Sequence, residues 1–300
     1  MSKGWNGRAP AGRIAYVDGR YVTHGEAGVH IEDRALQLGD GIYEVCGIAG
    51  GLMMDEEEHL DRLERSLGEI EMAMPMPRRA LKLVMRELVR RNRLRDGLLY
   101  LQVTRGATRR DHPIPKISPR PTLILTTRAM DPEEFGKRRR DGVAVITRPD
   151  ERWGRCDIKT VQLLPNLLAK TAARRAGAYE AWLVDETGLV TEGSSTTAWI
   201  VDAKGQLRTR DLSHAILPGV TRRVVLEAAA AAQLPVALKS FSVEEARAAR
   251  EAFISSATGV MPVVAIDGNQ VGDGKPGPLT RRVQELYSLT SAERASKTGT

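Results

Sequence analysis

Apolar and polar positions change their period several times along the chain. Two short apolar runs, residues 14–17 and 21–22, flank Asp18-Gly19, a pair suited to the positive backbone angles of a two-residue hairpin turn. Residues 42–48 read as a strand that Gly50-Gly51 turns into a short second one. The period then lengthens. Leu60, Leu63, Leu67 and Ile70 recur at three- and four-residue steps, the spacing of an amphipathic helix, with Asp55 placed to cap it. A second helix is predicted over 78–94, and strands over 98–104 and 122–127.

The stretch from Arg128 to Asp141 is polar, charged and carries a proline, and so reads as an interdomain connection. After it the pattern predicts a strand over 143–147, a helix over 165–176 and hairpin strands through 181–208. A helix over 220–234, strands at 252–256 and 263–266 and a last helix over 279–287 follow. Strands and helices mix without strict alternation, so the fold class is α+β. The expected organisation is a first domain over 1–128, a connection over 129–141, a second domain over 142–290 and a loose tail over 291–300.

Composition narrows the class. With 300 residues, 42% hydrophobic and 28% charged, the chain sits near the globular average, which excludes wholesale disorder or a fibre. No apolar run approaches the ~20 residues of a membrane helix, and the opening MSKGWNGRAPAGR lacks the apolar core of a secretory signal. No membrane partner is expected. Cys46 and Cys156 stand far apart, imply no disulfide framework and suit the cytoplasm. The net charge is +7, from 35 Arg and 10 Lys against 38 acidic residues. The densest basic runs, residues 90–95 and 137–140, have no interleaved aromatics, and only 4% of the chain is aromatic. They read as solvated faces, and a nucleic-acid partner is not expected.

One motif match falls away. Residues 272–277 satisfy G-x-G-x-x-G, but Pro276, Gly277 and Pro278 oppose a helix opening directly after the turn. The five histidines form no H-x-x-x-H or Cys/His cluster, so no metal is expected. The informative residues lie elsewhere. Lys159 stands in RWGRCDIKTVQLLPNLL (152–168), between a strand end and an apolar stretch, where burial would lower its pKa as Schiff-base chemistry requires. A surface turn is the alternative. Lys170, its nearest rival, neighbours Arg174 and Arg175 on what reads as an exposed helical face.

Glu192 in TEGSSTT (191–197) ends a strand among hydroxyl side chains and is suited to a protonated heterocyclic nitrogen, although taken alone it reads as an ordinary turn residue. LPGVTR (217–222) leads into a helix whose first amides form an anion site, SSATG (255–259) offers further small residues and amides, and HLDRL (59–63) supplies Arg62. A lysine, a carboxylate and a phosphate cradle are together the requirements of pyridoxal phosphate.

LGDGIYEV (38–45), HLDRL, VTRGATRRDH (103–112), RWGRCDIK, TEGSS and LPGVTR, in this order over about residues 13–287, resemble the class IV (fold type IV) pyridoxal-phosphate aminotransferases, most of all the D-amino acid transaminases. The resemblance implies a small N-terminal α/β domain, a larger pseudo-barrel domain and a homodimer with active sites at the interface. It implies that Lys159 is the Schiff-base lysine and proton shuttle, that Glu192 pairs with the pyridine nitrogen and that Leu217 packs on the ring. Arg62, the amides of Val220 and Thr221, and Thr258 would hold the phosphate, and Tyr43 would touch the substrate carboxylate or the cofactor phenolate. Arg110 and His112 would reach the neighbouring subunit's site and bind the substrate α-carboxylate there.

Departures from the family pattern are Leu36 and Leu38 in place of aromatics, Gly47 in place of a lysine, and Thr197 in place of an asparagine. The implied activity is transamination between D-amino acids and 2-oxo acids. An L-branched-chain aminotransferase, an (R)-amine transaminase and an aminodeoxychorismate lyase share the fold, and the R-x-H element argues against each. A basic nucleic-acid-binding protein is the reading from another class.

Overall fold

Asp18 and Gly19 take φ of 47° and 91° and turn β1 (Ile14–Val17) back on β2 (Arg20–Thr23), as the Asp-Gly pair predicts. The computed structural model describes residues 12–298. The chain divides into two units. One runs to Met130 and takes in Lys159–Gln162; the other holds Asp131–Ile158 and everything from Leu163 on.

In the first unit a short helix α1 (Arg34–Leu38) precedes β3 (Gly41–Ala49) and β4 (Leu52–Met53). Helices α2 (Glu56–Glu69) and α3 (Arg78–Arg91) follow, then β5 (Gly97–Thr104) and β6 (Thr122–Ala129). The sheet is antiparallel throughout, in the order β2-β1-β6-β5-β3-β4. Helix α2 buries Leu60, Leu63 and Leu67 and packs on β3, and α3 buries Leu81, Met85 and Leu88 and packs on β1 and β6. Each such side chain contributes roughly 1.5–3 kcal/mol. Asp55 stands at the start of α2, but in the left-handed region (φ 52°), and its side chain makes no capping bond. Residues 159–162 join this unit because they lie along the start of β3. The Tyr43 amide donates to the Lys159 carbonyl at 3.0 Å and the Val161 amide to the Gly41 carbonyl at 3.0 Å.

The second unit opens with a helix, α4 (Pro132–Asp141), inside the stretch read as a connection. Its signals are local. Asp131 accepts from the amides of Glu133 and Glu134, Pro132 fills the first turn, and Arg138, Arg139 and Arg140 occupy the last. Then come β7 (Val143–Pro149), α5 (Leu164–Arg175), β8 (Glu180–Val184), β9 (Val190–Gly193), β10 (Thr197–Val201), β11 (Leu207–Thr209) and α6 (Val220–Ala231). The chain continues with β12 (Val236–Leu238), α7 (Val243–Arg247), β13 (Glu251–Ser256), β14 (Gly259–Ile266), β15 (Asn269–Gln270) and α8 (Pro278–Thr298).

The nine-stranded sheet runs β12-β11-β10-β13-β14-β7-β8-β9, with β15 paired to β14. It curls: the Val190 amide at the β9 end donates to the Phe241 carbonyl beyond β12, and Leu189 bridges Ser242. This is the architecture expected of a pseudo-barrel. Alternation sorts its core. Ala198, Ile200, Ala252 and Ile254 face a cluster with Trp182 and Phe241, while Trp199, Val201 and Phe253 face Val224 and Val225 of α6 and Val283 of α8.

Two sequence readings change here. The loose tail is helix as far as Thr298, with Ala295 buried. A helix does open after the 272–277 glycines, with Pro278 in its first turn, where proline is well tolerated. Its N-terminus is nevertheless not a phosphate site, because the Glu251 carboxylate accepts from the amides of Leu279 (3.0 Å) and Thr280 (2.7 Å).

Candidate active site

In the first unit, β3 separates two kinds of chemistry by its pleat. Glu44 shares the buried face with Ile42 and Cys46, where it meets α2. Arg62 of α2 grips it with both Nε and Nη2 at 2.8 Å, and His59 Nδ1 lies 2.8 Å from the same carboxylate. Burial alone would raise the Glu44 carboxyl, but Arg62 and His59 hold it far below the usual carboxylate range. Arg62 faces inward, as its position beside Leu60 and Leu63 predicts, and Glu44 fixes the plane of its guanidinium.

Tyr43 points the other way. Its ring stacks on Tyr100 (5.6 Å between centroids), and the Lys159 ammonium stands 4.2 Å from its centroid. Lys159 is half-buried rather than sunk in the core, since it lies on the rim of β3 next to buried Ile158 and Thr160. Arg110 and His112 are exposed on the loop after β5.

In the second unit, Glu192 is buried at the end of β9. Its Oε1 accepts from Arg152 Nη1 at 2.5 Å and from the Leu217 amide at 3.2 Å. Arg152 also holds Asp150 through Nε (2.9 Å) and Nη2 (2.8 Å), and Thr191 donates to that aspartate at 2.7 Å. Burial works against the Arg152 charge, and the carboxylates of Asp150 and Glu192 more than restore it. Glu192 is thus held in a buried network; it is not a turn residue in solvent.

At the start of α6, Gly219 has no side chain to cap the helix, which leaves its first amides to other acceptors. A Cβ there would lie 2.9 Å from the Thr197 hydroxyl, so this close approach requires glycine. Thr221 donates to the Ser256 carbonyl at 2.7 Å, and Ser256 and Thr258 share a hydroxyl contact at 2.9 Å. These bonds tie the start of α6 to the turn after β13 that carries Thr258, and Leu217, whose amide donates to Glu192, is half-buried. Lys170 is engaged elsewhere. Its ammonium lies 3.0 Å from buried Glu180, which also accepts from Ser195.

Glu44, His59, Asp150 and Arg152 are the members that sequence reading passed over. All lie within or beside the quoted motifs, but nothing in their spacing reveals that they pair. The donor set fits a phosphorylated, protonated heterocycle. Within the second unit a buried carboxylate suits a pyridinium N–H and an uncapped helix start with hydroxyls beside it suits a phosphate; within the first, a lysine over an aromatic ring offers an amine.

These donors suit pyridoxal phosphate, and comparison with known proteins identifies the family. Residues 41–266 match the model of the amino-transferase class IV family. The chain is 40% identical over 283 residues to a D-alanine aminotransferase of Bacillus licheniformis, covering 94% of this chain and 98% of the relative. It is 37% identical over 273 residues to one of Listeria innocua, covering 90% and 93%. A branched-chain amino acid aminotransferase from a T.th. strain, solved with pyridoxamine 5′-phosphate, superposes with a TM-score of 0.84 at 25% identity, over 95% of this chain and 96% of that one. The protein belongs to the class IV aminotransferases, and its cofactor is pyridoxal 5′-phosphate.

Proposed function

We propose that this enzyme transfers the amino group between D-amino acids and 2-oxo acids. The observation that carries this reading is the Arg110-Asp111-His112 element on the loop after β5, in a chain so similar to D-alanine aminotransferases. A planar guanidinium suits a carboxylate in two-point contact.

Pyridoxal phosphate, when bound, supplies the electron sink for the pair left as the substrate Cα–H bond breaks. The residues of this chain do the rest. Lys159 would hold the cofactor, and its Nζ, freed when the substrate amine takes its place there, would take the Cα proton. Glu192, oriented by Arg152, accepts the pyridine N–H and stabilises its charge. Arg62, the amides of Val220 and Thr221 and the Thr258 hydroxyl hold the phosphate, and Leu217 packs on the ring. Tyr43 orients the substrate carboxylate or the cofactor phenolate.

Arg110 and His112 act in the neighbouring subunit of a homodimer. Apolar side chains left exposed support a second copy as partner: Ile31 and Leu36 in the first unit, and Leu164, Leu167 and Leu168, 58–66% exposed, on α5 in the second. No helix among the described residues is long and apolar enough to cross a membrane. Cys46 and Cys156 are free thiols, which suits the cytoplasm.

The test is a half-reaction of the pyridoxal form with D-alanine, L-alanine, D-glutamate and (R)-1-phenylethylamine, followed by absorbance. Rapid bleaching by the D-amino acids alone supports the reading. A preference for L-alanine or for the amine overturns the substrate assignment and leaves the family intact.

A further inference from the structure

We propose that Arg34 is a positioning residue that holds the Arg110/His112 loop in its binding conformation, a role that rests on the reading of this loop as the carboxylate trap. Arg34 opens α1 and is only 3% exposed, an unusual place for a guanidinium at the end of a five-residue helix. Its fork is spent on three acceptors. Nε donates to Asp40 at 2.7 Å, Nη1 to the Asp111 carbonyl at 2.7 Å and Nη2 to the His112 carbonyl at 3.4 Å. Two of the three are therefore backbone atoms of the R-x-H element itself.

Asp40 gives this clamp a fixed foundation. The same Oδ2 accepts from Arg105 Nε at 2.7 Å, and Arg105 reaches on to the carbonyls of Ile70 (2.6 Å) and Glu71 (3.1 Å) at the end of α2. The base of the loop is tied separately. The Arg34 amide donates to the Gly106 carbonyl, Thr108 to the Glu32 carbonyl, and Asp33 bridges Ala107. Gly106 has a φ of 97°, and a Cβ there would lie 2.1 Å from the Arg120 carbonyl, so the two ends of the excursion meet. A loop closed at its base still leaves its middle free. Arg34 removes that freedom at the two residues after Arg110, in the charge-assisted bonds that guanidinium donors form.

Arg34 spends its donors on Asp40 and the loop backbone, so its loss acts through the loop. Arg34→Gln should raise KM for D-alanine and for pyruvate roughly tenfold while kcat stays within about threefold, the pattern of lost uniform binding. Amide hydrogen exchange of the holoenzyme should rise across residues 109–112 and stay unchanged in β5 and β6. In an Arg110→Ala background the same substitution should add less than about threefold, because the side chain that Arg34 positions is already gone.

Unchanged KM with unchanged exchange in the loop overturns the proposal. Exchange that rises throughout the first unit also overturns it, as a general structural role. Should Arg34→Gln not fold, Arg34→Lys decides: it keeps a cation beside Asp40 but cannot fork to two carbonyls, and the same confined rise is expected. If the unmodified enzyme does not use D-amino acids, the substrate reading fails, while the exchange experiment still decides whether Arg34 holds the loop.

Discussion

Glu192 Oε1 lies 2.5 Å from Arg152 Nη1, and that guanidinium also grips Asp150. One cation thus orders two carboxylates in a buried network and sets the orientation of Glu192. Such preorganisation is the contribution a protein makes to cofactor chemistry.

Glu192→Gln should therefore fold and stay coloured but lose most of its rate, at least about a hundredfold in kcat. On the proposed pairing of Glu192 with the ring nitrogen, an amide would still hydrogen-bond there but would not stabilise the pyridinium charge. Stopped-flow absorbance with D-alanine measures this directly. Arg152→Met should instead lower stability by about 3–5 kcal/mol, because two buried carboxylates lose their shared partner. An unchanged kcat in Glu192→Gln would reduce Glu192 to a structural residue.

Lys159→Ala should abolish turnover while the protein still takes up pyridoxal phosphate that dialysis removes. Lys170→Ala should keep turnover within a few-fold, since its ammonium is committed to Glu180, and should show its effect in thermal stability. Near-native transamination by Lys159→Ala would move the reactive amine to another of the ten lysines.

The Glu44–Arg62–His59 cluster predicts a pH dependence of stability. The folded-state pKa of Glu44 is lowered from its ordinary 4.5 by Arg62 and His59, against the rise that burial alone would cause. The unfolded chain binds the proton more readily, so the contribution is present in full above about pH 5 and is lost as pH falls through 4.5 and below. Glu44→Gln should lower stability at pH 7 and flatten the acid limb of the stability curve. A denaturant titration at pH 7, 5, 4 and 3 checks both; parallel curves for the two proteins would show that Glu44 does not drive the acid loss.

Much of this architecture is legible in the residue pattern because its causes are local. Asp18-Gly19 dictates its own turn, Leu60, Leu63 and Leu67 their own helix face, and Asp-Pro-Glu-Glu at 131–134 carries a cap that reading for linkers overlooked. Ser242 and Glu245 form a capping box of the same local kind. The ion pairs are another matter. Glu44 and Arg62 are eighteen residues apart, Arg152 and Glu192 forty, and Arg34 and Asp111 seventy-seven. No spacing rule links such partners. They meet because α2 packs on β3, because β5 pairs with β3, and because β7, β8 and β9 lie side by side in the second sheet, which are properties of the tertiary fold.

Arg110→Ala tests stereochemical class and substrate anchoring together. Arg110 and His112 are both exposed on the loop after β5, so neither is needed for the core of its own unit, and loss of the guanidinium should leave thermal stability nearly unchanged. A carboxylate in a partly desolvated pocket would lose charge-assisted bonds worth roughly 1.5–3 kcal/mol. KM for D-amino acids and for 2-oxo acids should then rise about ten- to hundredfold. A substrate without a carboxylate has nothing to lose, so any turnover of (R)-1-phenylethylamine should stay as it was. Equal losses for acid and amine would mean that Arg110 acts on packing. A rise in KM for L-alanine as large as that for D-alanine would mean that the loop binds carboxylates without reading the hand of the substrate, and the preference for D-amino acids would then have to arise on the face carrying Tyr43 and Lys159.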